Sequence, residues 1–512
     1  MPPESVQEKV VVIVGGGFAG LSAAYKLSLL APDMTYVVLE AGAELGGRTV
    51  TGDCSKDFGA GYVGQLQNHI QFLIRALGID TVPTFLDQRR RWIYHAPDGA
   101  VVPFPGNKPL EFPGVPNALF RLGELDLLAL ELRRNLREPW TLPKAAILDA
   151  ITVQDWIDDQ RTRFDPSDPL GKLGMSEDTA TIFTASVRAA FSLEPKEISL
   201  FYLLYYAACA GSYSALVDIA GGEGTAEGTR FRYGTQDAIN KLADAVGRAN
   251  IVTGARVERI ECEATGARVY TNGHGVWRAN KVIVALSPAV SENITYTGLP
   301  PDYAARQALC THMQGHIGRT IKGFVRFKSA IWREMPAPAA PTCPATRGSM
   351  GYMLSMADYR TFPVGWTLDN VYEGDPSGLD GCKDTRYELM TFIGGAAADH
   401  WSGQSREDRA RAVIAHLKAA YGFADSDFYT SPPESSYEER NWPGDFAGVP
   451  APAAIMPPGV LSNPTLASAL RRPLGQVHWA GSETAIEWNG YMNGAVESGF
   501  RAASEVLEAL AT

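Results

Sequence analysis

Three glycines and one carboxylate near the N-terminus have the types and the spacing of a dinucleotide site. Gly15, Gly17 and Gly20 form a G-x-G-x-x-G turn, and Glu40 follows twenty positions after the last glycine. In such a turn the first glycine permits a tight bend, the second lets a pyrophosphate approach the backbone, and the third allows a helix to pack closely on a strand. The acidic residue accepts hydrogen bonds from the adenosine ribose. The cofactor contacts predicted in this segment are Gly15, Gly17, Phe18, Ala19, Gly20, Glu40 and Ala41.

The elements around this turn must position it, and the sequence predicts them as one βαβ unit. Lys9 to Val14 is a β-branched run typical of a strand buried on both faces, and Leu21 to Leu30 has helical composition. Tyr36 to Leu39 predicts the second strand. Farther along, 281–286 and 477–481 predict two more buried strands, and 494–510 predicts a helix.

The strand-rich segments fall into three separated blocks, which predicts two domains that are each assembled from distant pieces of chain. We expect residues 1–85, 220–295 and 440–512 to form a cofactor domain of α/β class. Residues 86–219 and 296–439 should form a second, α+β domain that binds the substrate. The sequence shows no internal repeat.

The composition excludes several classes of protein. The 512 residues are 45% hydrophobic and carry a net charge of −11, which excludes a disordered chain and disfavours nucleic acid or an anionic membrane as partner. The six cysteines are scattered without a CxxC pair, which argues against a disulfide framework and indicates a reducing compartment. We take Cys310, His312 and His316 as a chance spacing and expect no metal. Because no signal peptide or membrane span is evident, we expect a soluble cytoplasmic protein.

Three further motifs resemble those of the flavin-dependent amine oxidases. Glu40 to Arg48 resembles the family's second flavin motif, and Asp57 to Gly64 resembles the loop that lies beside the flavin. His478 to Thr484, followed by Trp488 to Gly499, resembles the C-terminal signature of the family. The resemblance covers nearly the whole chain and is closest to the monoamine oxidase branch.

The resemblance implies FAD as cofactor and a Rossmann-like FAD-binding domain of the glutathione-reductase/amine-oxidase type, joined to a discontinuous mixed substrate-binding domain. It also implies cofactor contacts beyond the glycine-rich turn. These are Gly47, Arg48, Gly61, Tyr62, Val257, Trp442, Gly481, Ser482, Glu483, Gly490, Tyr491 and Met492.

Three residues are implied to act near the reacting atoms. Lys322 matches the family's active-site lysine, which reaches flavin N5 through a water. Trp442 matches a tryptophan close to the flavin ring, and Tyr491 matches one of the two aromatic walls that flank the amine. For Lys322 alone a solvated strand lysine is the alternative, and for Trp442 alone a core aromatic.

The chain departs from the mitochondrial monoamine oxidases at the position of their covalent flavin tether. Ala451 and Pro452 stand where those enzymes carry a cysteine followed by a tyrosine, and no cysteine occurs from 383 to 512. We therefore expect FAD to be bound non-covalently. Pro452 also replaces the second aromatic wall, unless the loop shifts. The chain stops thirteen residues after Gly499, without the family's anchor helix, so we expect no membrane partner.

The expected substrate-binding residues are Tyr62, Ala189, Leu216, Glu223, Pro452 and Tyr491. Ala189 and Leu216 match positions that are bulkier on average in the mitochondrial enzymes, which predicts a roomier cavity. Glu223 matches a neutral amide there. It either binds a second ammonium or polar group of the substrate, or is an exposed loop carboxylate.

These observations favour an FAD-dependent oxidase that converts the carbon–nitrogen bond of an amine to an imine and reduces O2 to H2O2. The alternative within the fold is oxidation of an L-amino acid or of a specialised secondary metabolite, by desaturation or cyclisation. An arginine that faces the flavin could bind the carboxylate of a substrate and would therefore favour oxidation of an L-amino acid. Arg188 and Arg319 are the candidates. A flavin-binding scaffold without turnover is a rival from another class. The expected partners are the small-molecule amine and O2, and a homodimer is left open.

Overall fold

The computed structural model describes residues 6–85, 90–105, 114–168, 174–217, 226–334, 348–374 and 382–512. The strands in this part of the chain are β1 Val6–Val14, β2 Tyr36–Leu39, β3 Thr51–Gly52, β4 Lys56–Asp57, β5 Tyr62–Val63, β6 Thr81–Pro83, β7 Arg91–His95, β8 Val101–Pro105, β9 Thr229–Phe231, β10 Ile251–Val252, β11 Val257–Cys262, β12 Ala267–Thr271, β13 Gly275–Ala285, β14 Thr295–Thr297, β15 Thr320–Phe327, β16 Ser349–Ser355, β17 Trp366–Asp369, β18 Tyr387–Gly394, β19 Tyr437–Asn441 and β20 Val477–Ala480.

The helices of the described residues separate and cover these strands. They are α1 Phe18–Leu30, α2 Asn68–Ala76, α3 Val115–Leu132, α4 Ala145–Asp149, α5 Val153–Thr162, α6 Glu177–Phe191, α7 Leu200–Ala210, α8 Tyr213–Val217, α9 Thr235–Val246, α10 Pro288–Ser291, α11 Tyr303–Gln314, α12 Ala396–Ser402, α13 Arg406–Tyr421, α14 Trp442–Asp445, α15 Pro464–Ser468 and α16 Met492–Ala511.

The sheet that carries the N-terminal βαβ unit has a parallel centre and an antiparallel extension. Its strand order is β10–β2–β1–β13–β12–β11–β14, and β20 also pairs with β13. Strands β2, β1, β13 and β20 run parallel, whereas β13, β12 and β11 form an antiparallel meander. The last four residues of β1 are buried, as expected for a strand covered on both faces. This arrangement confirms the predicted α/β class and the predicted strands near 9–14, 36–39, 281–286 and 477–481.

The second large sheet is mixed and has the order β19–β15–β18–β17–β16–β7–β8. A small third sheet, β5–β9–β6, joins three segments that are far apart in sequence. The helices α3, α6 and α7 pack into one apolar core, in which every residue of α7 is buried. Both large sheets draw on separated segments of chain, while the domain boundaries given above stay a prediction.

One expectation from the cysteine pattern is wrong. Cys54 and Cys382 form a disulfide across a sequence separation of 328 residues, with their Cα atoms 5.2 Å apart. The spacing of the cysteines in the sequence could not reveal this pair, because the two positions are close only in the folded chain. Cys209, Cys262 and Cys310 are free thiols.

The described segments contain no helix that is long and apolar enough to cross a membrane.

Candidate active site

The glycine-rich turn packs as tightly as its spacing predicts. A Cβ atom at Gly20 would lie 1.9 Å from the carbonyl oxygen of Gly15, so a side chain there would drive α1 away from the turn. Gly15 itself has φ +106°, and a Cβ atom there would lie 2.7 Å from the carbonyl oxygen of Ala285 in β13. Both positions therefore require glycine, one for helix packing and the other for backbone conformation.

The start of α1 forms a backbone cradle with space for an anion. Gly17 is the N-cap of α1 and no side chain caps the helix, which leaves the first N–H groups of Phe18 and Ala19 without a side-chain acceptor. A Cβ atom at Gly17 would meet nothing closer than the carbonyl oxygen of Gly46, at 3.5 Å. Gly47 is equally open, with Gly17 Cα 4.0 Å from its Cβ position. The N-terminus of a helix with this open approach suits a pyrophosphate.

Glu40 directly follows β2, and its carboxylate faces back toward the glycine-rich turn. One carboxylate oxygen accepts a hydrogen bond from the Gly16 amide and the other from the Gly42 amide, both at 2.7 Å. The Ala255 amide donates to the Glu40 carbonyl oxygen at 2.8 Å, which holds the segment just before β11 and its buried Val257 against the Glu40 backbone. Each carboxylate oxygen keeps a further lone pair for a hydroxyl donor such as a ribose.

Arg48 and Glu483 form a bidentate pair at the centre of the site. The Arg48 guanidinium donates to the two carboxylate oxygens at 2.7 and 2.8 Å, to the Ser482 hydroxyl at 2.9 Å and to the Pro452 carbonyl oxygen at 2.8 Å. The Ser287 hydroxyl donates to Glu483 as well, at 2.9 Å. Burial alone would raise the pKa of Glu483, but Arg48 and the two serine hydroxyls outweigh it and hold the pKa below its usual value.

The C-terminal signature supplies two close backbone approaches and a second open helix end. Gly481 has φ +123°, and a Cβ atom there would lie 2.6 Å from the carbonyl oxygen of Leu286. A Cβ atom at Gly490 would lie 2.9 Å from the hydroxyl of Tyr206. The buried Met492 then begins α16, which has no side-chain cap and leaves its first N–H groups open to developing negative charge.

Lys322 on β15 and Trp442, the first residue after β19, hold the same short loop. The Lys322 ammonium donates to the carbonyl oxygen of Gly59 at 2.8 Å, and the Trp442 indole donates to that of Phe58 at 2.9 Å. Antiparallel pairing of β15 with β19 brings the two side chains to this loop. A Cβ atom at Gly61 would lie 2.7 Å from the Asp57 side chain, so the loop also needs a glycine to close.

The surroundings of Lys322 lower its pKa toward the physiological range. The lysine is 4% exposed, and its nitrogen lies 5.8 Å from the ring centre of Tyr62 and 5.4 Å from that of Phe392. Burial lowers the pKa of Lys322 to about 8, although the carboxylates of Asp57 and Glu227 oppose the shift. Lys322 can therefore hold or release a proton near neutral pH.

Two aromatic rings contact Tyr491, and neither comes from the loop at 452. The ring of Tyr206 lies 5.9 Å away at 36°, and that of Trp488 lies 5.3 Å away in an edge-on arrangement. Leu216 packs in the same cluster. Pro452 is exposed and contributes its carbonyl oxygen to Arg48. Tyr491 thus has aromatic neighbours, while its role as a wall of the amine site stays a prediction.

Of the other expected substrate residues, Ala189 packs against the aromatic cluster that includes Tyr62 and Phe392. Glu223 lies outside the described residues. Sequence reasoning passed over Glu227, whose charge acts on both Lys322 and Tyr491. The feature of the sequence that could have identified Glu227 is its position two residues before Thr229, the β-branched residue that begins β9.

The two arginines considered as carboxylate binders are already paired. Arg188 donates to both oxygens of Glu194, at 2.8 to 3.1 Å. Arg319 pairs with Glu197 at 2.9 Å and with Asp399 at 2.7 Å. A substrate carboxylate would have to displace these partners to use either guanidinium.

The arrangement fits a flavin dinucleotide. The backbone cradle at Gly17 and Gly47 suits a pyrophosphate, the Glu40 carboxylate suits a ribose, and the open end of α16 suits a ring that gains negative charge. Gln67, on the segment that follows Tyr62, is 0% exposed, and neither atom of its amide has a hydrogen-bond partner within the described chain. Such an orphaned amide is expected where a polar group completes the site.

Comparisons with known proteins agree with this geometry. Residues 18–507 match the family model of flavin containing amine oxidoreductases. The chain is 28% identical to amine oxidase [flavin-containing] B of Bos taurus, over 98% of this chain and 86% of that protein. Cyclohexylamine oxidase from Brevibacterium oxydans superposes with a TM-score of 0.80 at 28% identity, over the full length of both chains. Putrescine oxidase shares the fold, with a TM-score of 0.80 at 23% identity, over 98% of this chain and 100% of that chain.

Proposed function

This chain belongs to the family of flavin-containing amine oxidoreductases, and from that premise we propose that it oxidises an amine without a carboxylate group, using FAD held non-covalently. The amine would become an imine that hydrolyses to a carbonyl compound, and O2 would be reduced to H2O2. When bound, the flavin would supply the redox chemistry, the two-electron oxidation of the carbon–nitrogen bond.

The observation that carries the proposal is the buried lysine on β15. Lys322 is 4% exposed, contacts the Gly59 carbonyl oxygen and shares this loop with Trp442. Burying an ammonium is costly, and nothing in the packing of β15 alone requires one. A lysine kept at this place, with its pKa lowered to about 8, is typical of a functional site.

The side chains divide the remaining work between orientation and electrostatics. Tyr491 would orient the amine with its ring, and its neighbours Tyr206 and Trp488 fix that ring. Lys322 would hold an ordered water and supply positive charge where oxygen is reduced. Trp442 would keep the loop at 58–59 in place through its indole hydrogen bond. Each of these roles depends on where the side chain lies and on the hydrogen bonds that it donates, and none of them requires a strong base.

Non-covalent binding is supported by the residues at the predicted tether position. Ala451 is buried there, and the last cysteine of the sequence, Cys382, is engaged in the disulfide with Cys54. The flavin would be held by hydrogen bonds and burial. Denaturation should therefore release it.

An amine is favoured over an amino acid because Arg188 and Arg319 are both paired with carboxylates. A carboxylate substrate would leave Glu194 or Glu197 without its cation. Oxidation of an uncharged specialised metabolite stays an alternative that the amine panel below separates from amine oxidation.

The test begins with the purified protein, which should be yellow. Precipitation with acid should move all of the FAD into the supernatant. Anaerobic addition of amines should bleach the flavin absorbance, and readmitted oxygen should restore it with one equivalent of H2O2. A protein that carries no flavin, or a flavin that no aryl, alkyl or diamine substrate bleaches, would contradict the proposal.

The cytoplasmic location and the homodimer stay predictions. Disulfides are rare in reducing compartments, so the Cys54–Cys382 bond weighs against the cytoplasmic expectation. Fractionation of the source cells and sedimentation of the pure protein would decide these two points.

A further inference from the structure

Glu227 is a carboxylate at the candidate site whose side chain has no partner among the described residues. It lies two residues before β9, the central strand of the small sheet that holds Tyr62. Thr84 fixes this backbone, because its hydroxyl donates to the Glu227 carbonyl oxygen at 2.6 Å and its amide donates to that of Gly228 at 3.1 Å. Among the described residues, no hydrogen bond or ion pair reaches the Glu227 side chain. The backbone is thus well held while the carboxylate stays free.

The groups around Glu227 come from four different parts of the fold. Its negative charge acts on Tyr62 of β5, Lys322 of β15, Tyr352 of β16 and Tyr491 before α16. Burial raises the pKa of each of the three tyrosines, and Glu227 raises it further. Glu227, Tyr62 and Tyr491 are each partly exposed. Strand β9 pairs with β5 at Tyr62, and the Tyr62 ring centre lies 5.8 Å from the Lys322 nitrogen, so the segment that carries Glu227 borders this lysine.

The charges in this cluster do not balance. Asp57 accepts hydrogen bonds from the Thr51 hydroxyl at 2.6 Å and from the Thr235 amide at 2.9 Å, so its carboxylate is satisfied by the protein. Lys322 donates to the Gly59 carbonyl oxygen. Burial raises the pKa of both Asp57 and Glu227, and the charge of Lys322 opposes both shifts. Among the described residues Glu227 is the member with unused acceptors, and a second cation beside it would favour its charged form. A partly buried carboxylate with no partner among the described residues favours a cationic ligand.

The reaction restricts which nitrogen of a substrate can supply that cation. The nitrogen that is oxidised must be uncharged, because a protonated nitrogen has no lone pair to assist oxidation of its bond to carbon. A monoamine would then leave Glu227 unpaired. A diamine can be neutral at the reacting nitrogen and still carry an ammonium at the other end.

We propose that Glu227 is the specificity residue that binds a second cationic group of the substrate, so that the preferred substrates are diamines. This inference rests on the proposed amine oxidation and adds the class of amine. It assigns to Glu227 the role that sequence analysis considered for Glu223, which lies outside the described residues.

The experiment compares cadaverine with n-pentylamine, which differ only in the second amino group. Wild type, Glu227→Gln, Glu227→Asp and Glu258→Gln are assayed for H2O2 with both amines, and kcat/KM is determined for each. Glu258 is an exposed carboxylate of β11, so its substitution changes the net charge equally but away from the site. Flavin content and the absorbance spectrum establish that each variant is folded.

A charged hydrogen bond of this kind is expected to give wild type a preference for cadaverine of about tenfold or more. Glu227→Gln should lower the ratio of the two kcat/KM values at least about tenfold, Glu227→Asp should lower it less, and Glu258→Gln should leave it as in wild type. If Glu227→Gln lowered the ratio of the two kcat/KM values less than this, or lowered kcat/KM equally with both amines, the proposal would be overturned. Absence of H2O2 with every amine in wild type would instead overturn the proposed function.

Discussion

Arg48 and Glu483 lie 435 positions apart and form two hydrogen bonds of 2.7 and 2.8 Å. The Glu483 side chain is completely enclosed, and that of Arg48 is 24% exposed. The pair joins the segment after the glycine-rich turn to the C-terminal signature, and it also fixes the Pro452 carbonyl oxygen. One contact thus ties together three pieces of the candidate flavin site.

Loss of this arginine should destabilise the protein and weaken flavin binding. Arg48→Ala would leave Glu483 as a buried carboxylate without its cation, which we expect to cost about 2–4 kcal/mol. Urea unfolding followed by tryptophan fluorescence measures the change, and ultrafiltration measures the retained FAD. Arg248→Ala is the control, because its ion pair with Asp244 is exposed and is worth less than about 1 kcal/mol. Equal stability of the two variants would refute this account of the pair.

The charge of Lys322 should control the oxygen half-reaction. With a pKa lowered to about 8, the ammonium form predominates below pH 8 and is lost above it. If positive charge assists oxygen reduction, the rate constant of flavin reoxidation should fall as the pH rises through about 8 in wild type. In Lys322→Met it should be lower by about tenfold or more and independent of pH in this range. Stopped-flow mixing of the reduced protein with oxygen measures both, and a pH-dependent Lys322→Met would contradict the assignment.

The dinucleotide half of the site could be predicted from sequence because its residues are local. The spacing of Gly15, Gly20 and Glu40 is sufficient to place a turn, a helix and a carboxylate at one strand end. Glu227 could not be found in this way, since its nearness to Lys322 depends on the pairing of β9 with β5 and on the position of β15. Resemblance directed attention to Glu223 instead, four residues earlier.

The disulfide is a second feature that could not be predicted from the sequence alone. Cys54 and Cys382 carry no spacing signal, and the two positions, 328 residues apart in sequence, come together only in the folded chain. The strands near 9–14 and 477–481 were predictable for the opposite reason, because their apolar runs and following glycines are contiguous. The parts of this chain that local motifs specify could therefore be predicted from sequence, whereas the parts that depend on contacts between distant segments could not.

Removal of the disulfide should lower stability. The bond closes a loop across 328 positions, and losing it is expected to cost about 2–4 kcal/mol of the free energy of unfolding. Cys54→Ser with Cys382→Ser should show this loss in urea unfolding, whereas Cys262→Ser, at a free thiol, should not. Mass spectrometry of non-reduced peptides should find positions 54 and 382 linked. A fully reduced protein with wild-type stability would contradict the structure at this point.

The buried pair His95 and His416 should make the protein sensitive to acid. The Val364 amide donates to Nδ1 of His416, so Nε2 of that ring carries the hydrogen and donates to Nδ1 of His95 at 2.9 Å. Burial lowers the pKa of His416 from 6.5 to about 3, and His95 opposes its protonation further. Burial also lowers the pKa of His95, although the Gly99 backbone and Asp98 act in the opposite direction.

The sign of the pH effect follows from these lowered values. Below about pH 6.5 the unfolded chain binds a proton at His416 that the folded protein excludes, so stability falls as the pH falls from 6.5 toward 3. The slope approaches about 1.4 kcal/mol per pH unit for this one group. His416→Gln should have a shallower decline between pH 7 and 5 than wild type, and His274→Gln, at an exposed position, should match wild type. Parallel declines in all three proteins would exclude the pair as the cause.

The ring of Tyr491 should matter more than its hydroxyl. Its edge-on contact with Trp488 and its packing on Tyr206 fix the ring plane, and Phe keeps both contacts. If the ring is a wall of the amine site, Tyr491→Phe should retain kcat/KM within about threefold, while Tyr491→Leu should lose about tenfold or more. The spectrum and the FAD content of both variants should remain those of wild type, because a wall acts on the amine. Equal activity of the Leu and Phe variants would remove Tyr491 from the substrate site, and a loss in Phe as large as in Leu would move the role to the hydroxyl.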